Sequence, residues 1–332
     1  MTKLALRIVA ASAMLAVASL NALADGRHPG SLLVYPIYDS SPGVATIITV
    51  TNTNEDQSYN PATKLAMGTV DVEYKYIDAM TCQEFNRTER LTPNDTLTVL
   101  ASHHNASSSL GYLYVYAKHP KSGLPISWNW LIGHVVSFDG IEVLEYGVNP
   151  WSFAAIPADG ELTDLDGDGI RDLDGKEYEM APDTLLYPRF FGQSAQLFIS
   201  HLVLINLTGG SKFRATADLL IYNDNEQVFS AEMEFTCWTA RLLAKISGAF
   251  TDEFLKSTNH DPDEITGLEF IESGWFRVDG GIASSSMASI DDPALIGCLL
   301  EFVGPFGSAD LPFEEGTQAN GDLLPRSVFG DS

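Results

Sequence analysis

A mainly β fold is predicted, with two tandem antiparallel immunoglobulin-like β-sandwich modules, the second carrying a few short helices. Three observations predict it. Short apolar or alternating runs follow one another with turn chemistry between them, local motifs recur in the same order in both halves, and an acidic insert divides the halves. The expected layout is a leader at 1–24, a first module at 25–150, a linker at 151–183, a second module at 184–310 and a loosely ordered tail at 311–332.

The leader is read from Lys3 and Arg7, an apolar run from Ile8 to Leu20, and Ala22-Leu-Ala24 as a small-residue cleavage site. The run falls short of the ~20 residues that a membrane-spanning helix requires. Export is therefore expected, to the exterior, the periplasm or the cell surface, with a mature chain of 308 residues (332 − 24) starting at Asp25. No later stretch is both long and apolar enough to predict a membrane span.

Losing the two leader cations takes the net charge from −25 to −27. Such a surface repels nucleic acid and anionic lipid, and suits divalent cations or simple solubility. Cys82, Cys237 and Cys298 are too few for a disulfide framework, so at most one bridge can form, and no C-x-x-C zinc spacing occurs.

In chain order, the strand signals are Leu32 to Tyr35, Ala45 to Thr51, and Thr69 to Tyr76 with Val70, Val72, Tyr74 and Tyr76 on one face. Thr96 to Leu100 and Gly111 to Tyr116 follow. Ser40-Ser-Pro-Gly43, Asn52 to Asp56 and Thr92-Pro-Asn-Asp95 supply the turns. In the second half, Val34-Tyr-Pro36 matches Leu186-Tyr-Pro188, and Ile48 to Asn52 matches Leu202 to Asn206. Thr69 to Tyr76 matches Ala215 to Tyr222, and Gly111 to Val115 matches Gly274 to Val278. Glu84-Phe85 followed by Arg90-Leu91 matches Glu234-Phe235 followed by Arg241-Leu242. We read these as a tandem duplication. Thr251 to Lys256 predicts a short helix, and Asp292-Pro293 opening Ala294 to Phe302 predicts another.

The insert carries the strongest chemical pattern. An EF-hand-type loop needs oxygen ligands at positions 1, 3 and 5, a glycine at 6, a carbonyl at 7, a ligand often acting through water at 9 and a carboxylate at 12. Asp164, Asp166, Asp168, Gly169, Ile170 and Asp172 fill the first six roles in order, but Gly175 stands at position 12. Asp174 and Glu177 are close enough to substitute, and Lys176 to Met180 predicts a short exiting helix. Without a bidentate acid at position 12, calcium binding is expected in the weak class, about 10⁻⁴ to 10⁻³ M. Over about a dozen residues the loop resembles the calcium repeats of thrombospondin type 3 and dockerin-like modules. An extracellular calcium of this kind stiffens a segment and implies no chemistry, and here it would set how the two modules sit.

Catalytic signatures are thin, with no G-x-S-x-G elbow and no H-E-x-x-H helix. His103-His104-Asn105 reads as an exposed loop. Asn259 to Glu264 reads as an Asx-stabilised turn, although Asp261, Asp263 or Glu264 could serve a hydrolase if a second carboxylate faced them. Trp128 and Trp130 are expected on one face of a strand, more often core than sugar platform; with exposed tyrosines of Gly111 to Tyr116 they make a glycan-binding module the alternative.

Leu32-Leu-Val-Tyr-Pro36, Ile48-Thr-Val-Thr-Asn-Thr-Asn54, and Cys82-x-Glu-Phe85 with Leu91-Thr-Pro-Asn-Asp-Thr96 form an order that resembles a group of exported bacterial proteins of unknown function. The similarity extends from about Gly30 to the C-terminus and includes Asn223-Asp-Asn225 and Glu272-Ser-Gly-Trp-Phe-Arg-Val-Asp279. It implies export and a shared fold, and supplies no activity or ligand. The expectation is a non-catalytic adhesion, matrix or envelope protein with a structural calcium and an envelope, matrix or glycan partner.

Overall fold

The computed structural model describes residues 28–140, 144–194, 198–208, 213–258, 272–286, 288–304 and 306–323. The expected leader at 1–24, the Asn259 to Glu264 run and tail residues 324–332 lie outside the described residues.

The chain is mainly β, built of antiparallel sheets in the manner of a β-sandwich. A five-stranded sheet has the order Trp151–Phe153, Leu32–Asp39, Leu110–Lys118, Val70–Asp78, Glu84–Leu91. A six-stranded sheet has the order Phe313–Gln318, Ala181–Phe191, Ser273–Ser284, Arg214–Asn223, Val228–Phe235, with Ser289–Asp291 added beside Ser273–Ser284. The two orders correspond strand for strand. Even a register shift recurs, between Tyr35 and Tyr38 in one half and between Tyr187 and Phe190 in the other.

The partner layers of both halves are fused into one eight-stranded sheet. Thr96–Leu100, Val44–Asn52, Leu131–Asp139 and Leu144–Val148 come from the first half; Phe306–Asp310, Leu295–Val303, Ile199–Asn206 and Trp238–Leu242 continue it from the second. The seam is a parallel pairing at Glu145 and Phe306 inside an otherwise antiparallel sheet.

Packing also crosses the seam. Leu33, Tyr35, Tyr74 and Val115 of the five-stranded sheet join a core with Ile48, Val50 and Val135. Its other face, with Leu32, Val34, Tyr114 and Trp151, joins the core of the second half, with Leu202, Ile205 and Phe276. Two buried indoles fasten the halves: Trp151 Nε1 donates to the Gly297 carbonyl at 2.9 Å and Trp238 Nε1 to the Pro36 carbonyl at 2.9 Å. A disulfide joins Cys82 to Cys237 across 155 residues, leaving Cys298 buried as a free thiol. The repeat is thus visible in strand order, while the cores run across the expected module boundary.

Several sequence expectations change. Leu295–Val303 is a strand and no helix, buried at every position but the last. An interior strand covered on both faces reads as a continuous apolar run, which periodicity cannot tell from a buried helix. Asp292 has φ 54°, in the left-handed region, and so caps no helix here. Val70–Asp78 is buried on both faces rather than one: Glu73 and Lys75 are buried too, paired with Lys118 (3.0 Å) and with Glu84. Residues 313–318 of the expected loose tail form an edge strand paired to Ala181–Phe191. The short helix near Thr251 is present as Asp252–Thr258, with Thr251 Oγ1 accepting from the Phe254 N–H at 3.3 Å.

Candidate calcium loop and its surroundings

The acidic loop is shaped by its own side chains. Asp164 Oδ1 accepts from Gly167 N (2.9 Å), Asp166 Oδ1 from Asp168 N (3.1 Å), and Asp168 Oδ1 from Ile170 N (2.8 Å), three successive Asx-type turns. Gly169, at position 6, has φ 82°, a conformation that glycine adopts without steric cost and that makes the sharp bend.

Two groups of carboxylates converge. Asp164, Asp166 and Asp168 offer oxygens within 4.8 Å of one another, and so do Asp166, Asp172 and Glu177. Asp166 belongs to both groups. Glu177 therefore reaches back to where the glycine at position 12 supplies nothing. Its side chain is buried, accepting from Leu165 N (2.5 Å) and Asp172 N (3.3 Å). Burial pushes its carboxyl up to about 7, against those two N–H donors, which favour the ionised form.

Two expected ligands are otherwise engaged. Asp174 stands in neither group; its Oδ1 accepts from Lys176 N (2.8 Å) and Glu177 N (3.0 Å), and so holds the turn that presents Glu177. The Ile170 carbonyl accepts from Arg171 Nε at 2.7 Å. No exiting helix follows, since residues 174–177 form bends and Tyr178 bridges to Ala155. Sequence reasoning missed Arg171. Its side chain is almost wholly buried, its Nη2 lies 3.4 Å from Asp164 Oδ2, and its guanidinium sits 5.1 Å from the centre of the Tyr116 ring. The signal was a lone basic residue inside a run of acids.

The surroundings clamp the loop to the first half. Ala154 N donates to Glu179 Oε2 (2.7 Å), Glu179 N to Ala154 O (3.0 Å) and Ile156 N to Glu177 O (3.0 Å). Asp172–Leu173 pairs with Gly321–Asp322, which brings the C-terminal segment against the loop. The insert thus lies over the five-stranded sheet at Tyr116, and Arg171 pins it there.

The other singled-out residues fall elsewhere. Trp128 and Trp130 share no strand face: the Trp130 N–H donates to the Trp128 carbonyl (2.7 Å) in a turn. Trp128 is buried with Nε1 donating to Asn52 Oδ1 (3.1 Å), and Trp130 is exposed with Nε1 donating to Asp159 Oδ2 (3.4 Å). Tyr112 and Tyr114, expected to be exposed, are buried. Trp128 and Trp130 therefore offer no shared face to a sugar ring. His104 is no loop residue either; it ends the one-turn helix Ala101–His104, and its Nδ1 lies 2.8 Å from Tyr76 Oη with its ring 4.8 Å from that of Tyr74. The candidate acids Asp261, Asp263 and Glu264 fall outside the described residues.

Among the described residues no helix is long and apolar enough to cross a membrane. Comparison with protein-family models and with curated proteins finds no match to this chain.

Proposed function

We propose that the chain is a non-catalytic exported protein whose acidic loop takes up calcium as a structural ion, and whose work is adhesion or the building of an extracellular matrix or cell envelope. The observation that carries the calcium reading is the convergence of Asp166, Asp172 and Glu177 beside Asp164 and Asp168. Five carboxyl groups face one guanidinium there, and an all-oxygen donor set suits a hard cation. A divalent ion would offset the cost of holding Glu177 ionised in a buried position. The leader pattern supports export, and the Cys82–Cys237 bridge fits an oxidising compartment.

On this reading calcium fixes the insert onto the first half and bears on the second through the Gly321–Asp322 strand. With a dissociation constant of about 10⁻⁴ to 10⁻³ M, roughly 10 mM calcium should raise the unfolding free energy by about 1.4 to 2.7 kcal/mol. Thermal melts of the mature protein in calcium and in chelator check this, with Asp166→Asn expected to remove the difference. A melting temperature indifferent to calcium would sink the calcium part of the proposal. Calcium-dependent capture of the protein by its own cell envelope would tie the ion to the adhesive role.

A further inference from the structure

The two halves differ in one sheet face. In the first half, the outer face of the five-stranded sheet is covered by the acidic insert and by the second half's core. In the second half no described element buries the equivalent face, which stays partly exposed. Along Arg214–Asn223 buried residues alternate strictly with exposed or half-buried ones, so Thr216, Asp218, Leu220 and Tyr222 look outward.

This open face holds a cleft of about 770 Å³, lined by Asp183, Asp218, Glu232, Arg277, Asp279 and Asp292 among others. Among the described residues Arg277 is the one cation lining it, and Arg277 Nη2 is spent on Asp279 Oδ2 (2.8 Å) and Thr184 Oγ1 (3.2 Å). Asp183, Asp218, Glu232 and Asp292 form no ion pair among the described residues. Burial, the charges of Asp183 and Asp279 and a side-chain hydrogen bond with Asp183 hold the Asp292 carboxyl above the usual carboxylate range. These acids do not make a metal cage: no three of them bring ligand oxygens within 4.8 Å of one another. Their spacing suits a ligand that spreads its positive charge over several positions.

An aromatic surface adjoins the acids. Cross-strand register places Asp218 opposite Asp279, Leu220 opposite Arg277 and Tyr222 opposite Trp275. The last pair is stacked, with ring centres 4.1 Å apart and planes 4° apart, and Trp275 is 38% exposed. It lies on the same face as Arg277, two residues or roughly 7 Å further along the strands.

We propose that this face binds a glycan bearing free amino groups, a short oligosaccharide of the glucosamine type. The Tyr222–Trp275 stack offers an apolar flank for a sugar ring, while the carboxylates accept charge-assisted hydrogen bonds from ammonium and hydroxyl groups. A basic peptide would match the charge, but the main-chain groups of these interior strands are already paired with each other, so a peptide backbone finds no partners on the face. A glycan is held by side chains alone. The site shares no residue with the calcium loop and does not depend on it.

Calorimetric titration of the mature protein at about pH 6, where sugar amines are protonated and ordinary carboxylates ionised, tests the proposal. The probes are the fully deacetylated glucosamine tetramer, its N-acetylated counterpart and tetralysine. The deacetylated tetramer is expected to bind about ten-fold or more tighter than either alternative. Asp218→Asn and Trp275→Ala should each weaken it about ten-fold without changing the melting temperature, and Trp130→Ala should leave it unchanged. No binding of the deacetylated tetramer, equal affinity for the N-acetylated form, or tetralysine binding as tightly would each overturn the proposal. Asp218→Asn guards against a Trp275→Ala variant that fails to fold.

Discussion

Replacing both bridged cysteines, Cys82→Ala with Cys237→Ala, is expected to lower the unfolding free energy by about 5 kcal/mol. The bridge closes a loop of 155 residues, and the entropy it removes from the unfolded chain grows with the logarithm of loop length. It also joins the turn after Val70–Asp78 to the turn before Trp238–Leu242, two points that no other covalent link brings together. A loss of that size is a large share of an ordinary protein's total stability. Urea unfolding of the oxidised wild type and the double variant measures it. Because the eight-stranded sheet and both cores run through the two halves, both proteins should unfold in one transition. A loss below about 1 kcal/mol would mean that the unfolded chain already keeps the two turns close.

Arg171→Ala is expected to cost about 1.5 to 3 kcal/mol, the range for losing a charge-assisted contact, since the Asp164 carboxylate left behind is partly exposed. The guanidinium is the only positive charge within the acidic loop before Lys176. Its loss leaves Asp164 without its ion pair, the Ile170 carbonyl without its donor and the Tyr116 ring without its cation. Arg171→Lys should restore little of this, since an ammonium cannot reach all three with one planar fork. If the loop takes up calcium, the ion supplies part of the missing charge, so the deficit should shrink in calcium and grow in chelator. Equilibrium unfolding of the three proteins under both conditions gives the comparison. A deficit within about 1 kcal/mol for Arg171→Ala would show that the insert is held without its buried cation.

Much of the fold was legible, and the exceptions have physical causes. Strands with a wet face announce themselves by alternation, as Arg214–Asn223 does. Leu295–Val303, covered on both faces, has no alternation to read, and Asp292-Pro293 then imitates a helix start. The repeat was legible at its turn and bulge motifs. Val34-Tyr-Pro36 with Leu186-Tyr-Pro188, Asn52 with Asn206, and Gly111 to Val115 with Gly274 to Val278 occupy equivalent positions in the sheets. The match of Thr69 to Tyr76 with Ala215 to Tyr222 is slipped by one residue, since Tyr76 opposes Leu113 whereas Ile221 opposes the equivalent Phe276. In a strand that slip exchanges the two faces. Arg90-Leu91 and Arg241-Leu242 lie in different sheets altogether.

In the candidate sites, local spacing was informative and distant pairing was not. Glu177 was visible as a nearby acid, because the loop that presents it is short. The burial of Arg171 depends on Tyr116, far away in sequence, and the fusion of the halves depends on Glu145 meeting Phe306. Trp128 and Trp130 misled because their spacing suggests a strand where the chain makes a turn. The open aromatic surface, Tyr222 with Trp275, is assembled from two strands and left no mark in either alone.

The most direct measurement is a calorimetric calcium titration of the mature protein beside Asp166→Asn, Glu177→Gln and Asp174→Asn. The account predicts one site in the wild type with a dissociation constant of about 10⁻⁴ to 10⁻³ M. Asp166→Asn should abolish it, since Asp166 alone belongs to both carboxylate groups, and Glu177→Gln should weaken it about ten-fold or more. Asp174→Asn should leave it close to wild type, because an asparagine Oδ1 can still accept from Lys176 N and Glu177 N and position 174 stands in neither group. No heat of binding in the wild type, or unaltered binding in Asp166→Asn, would contradict the account.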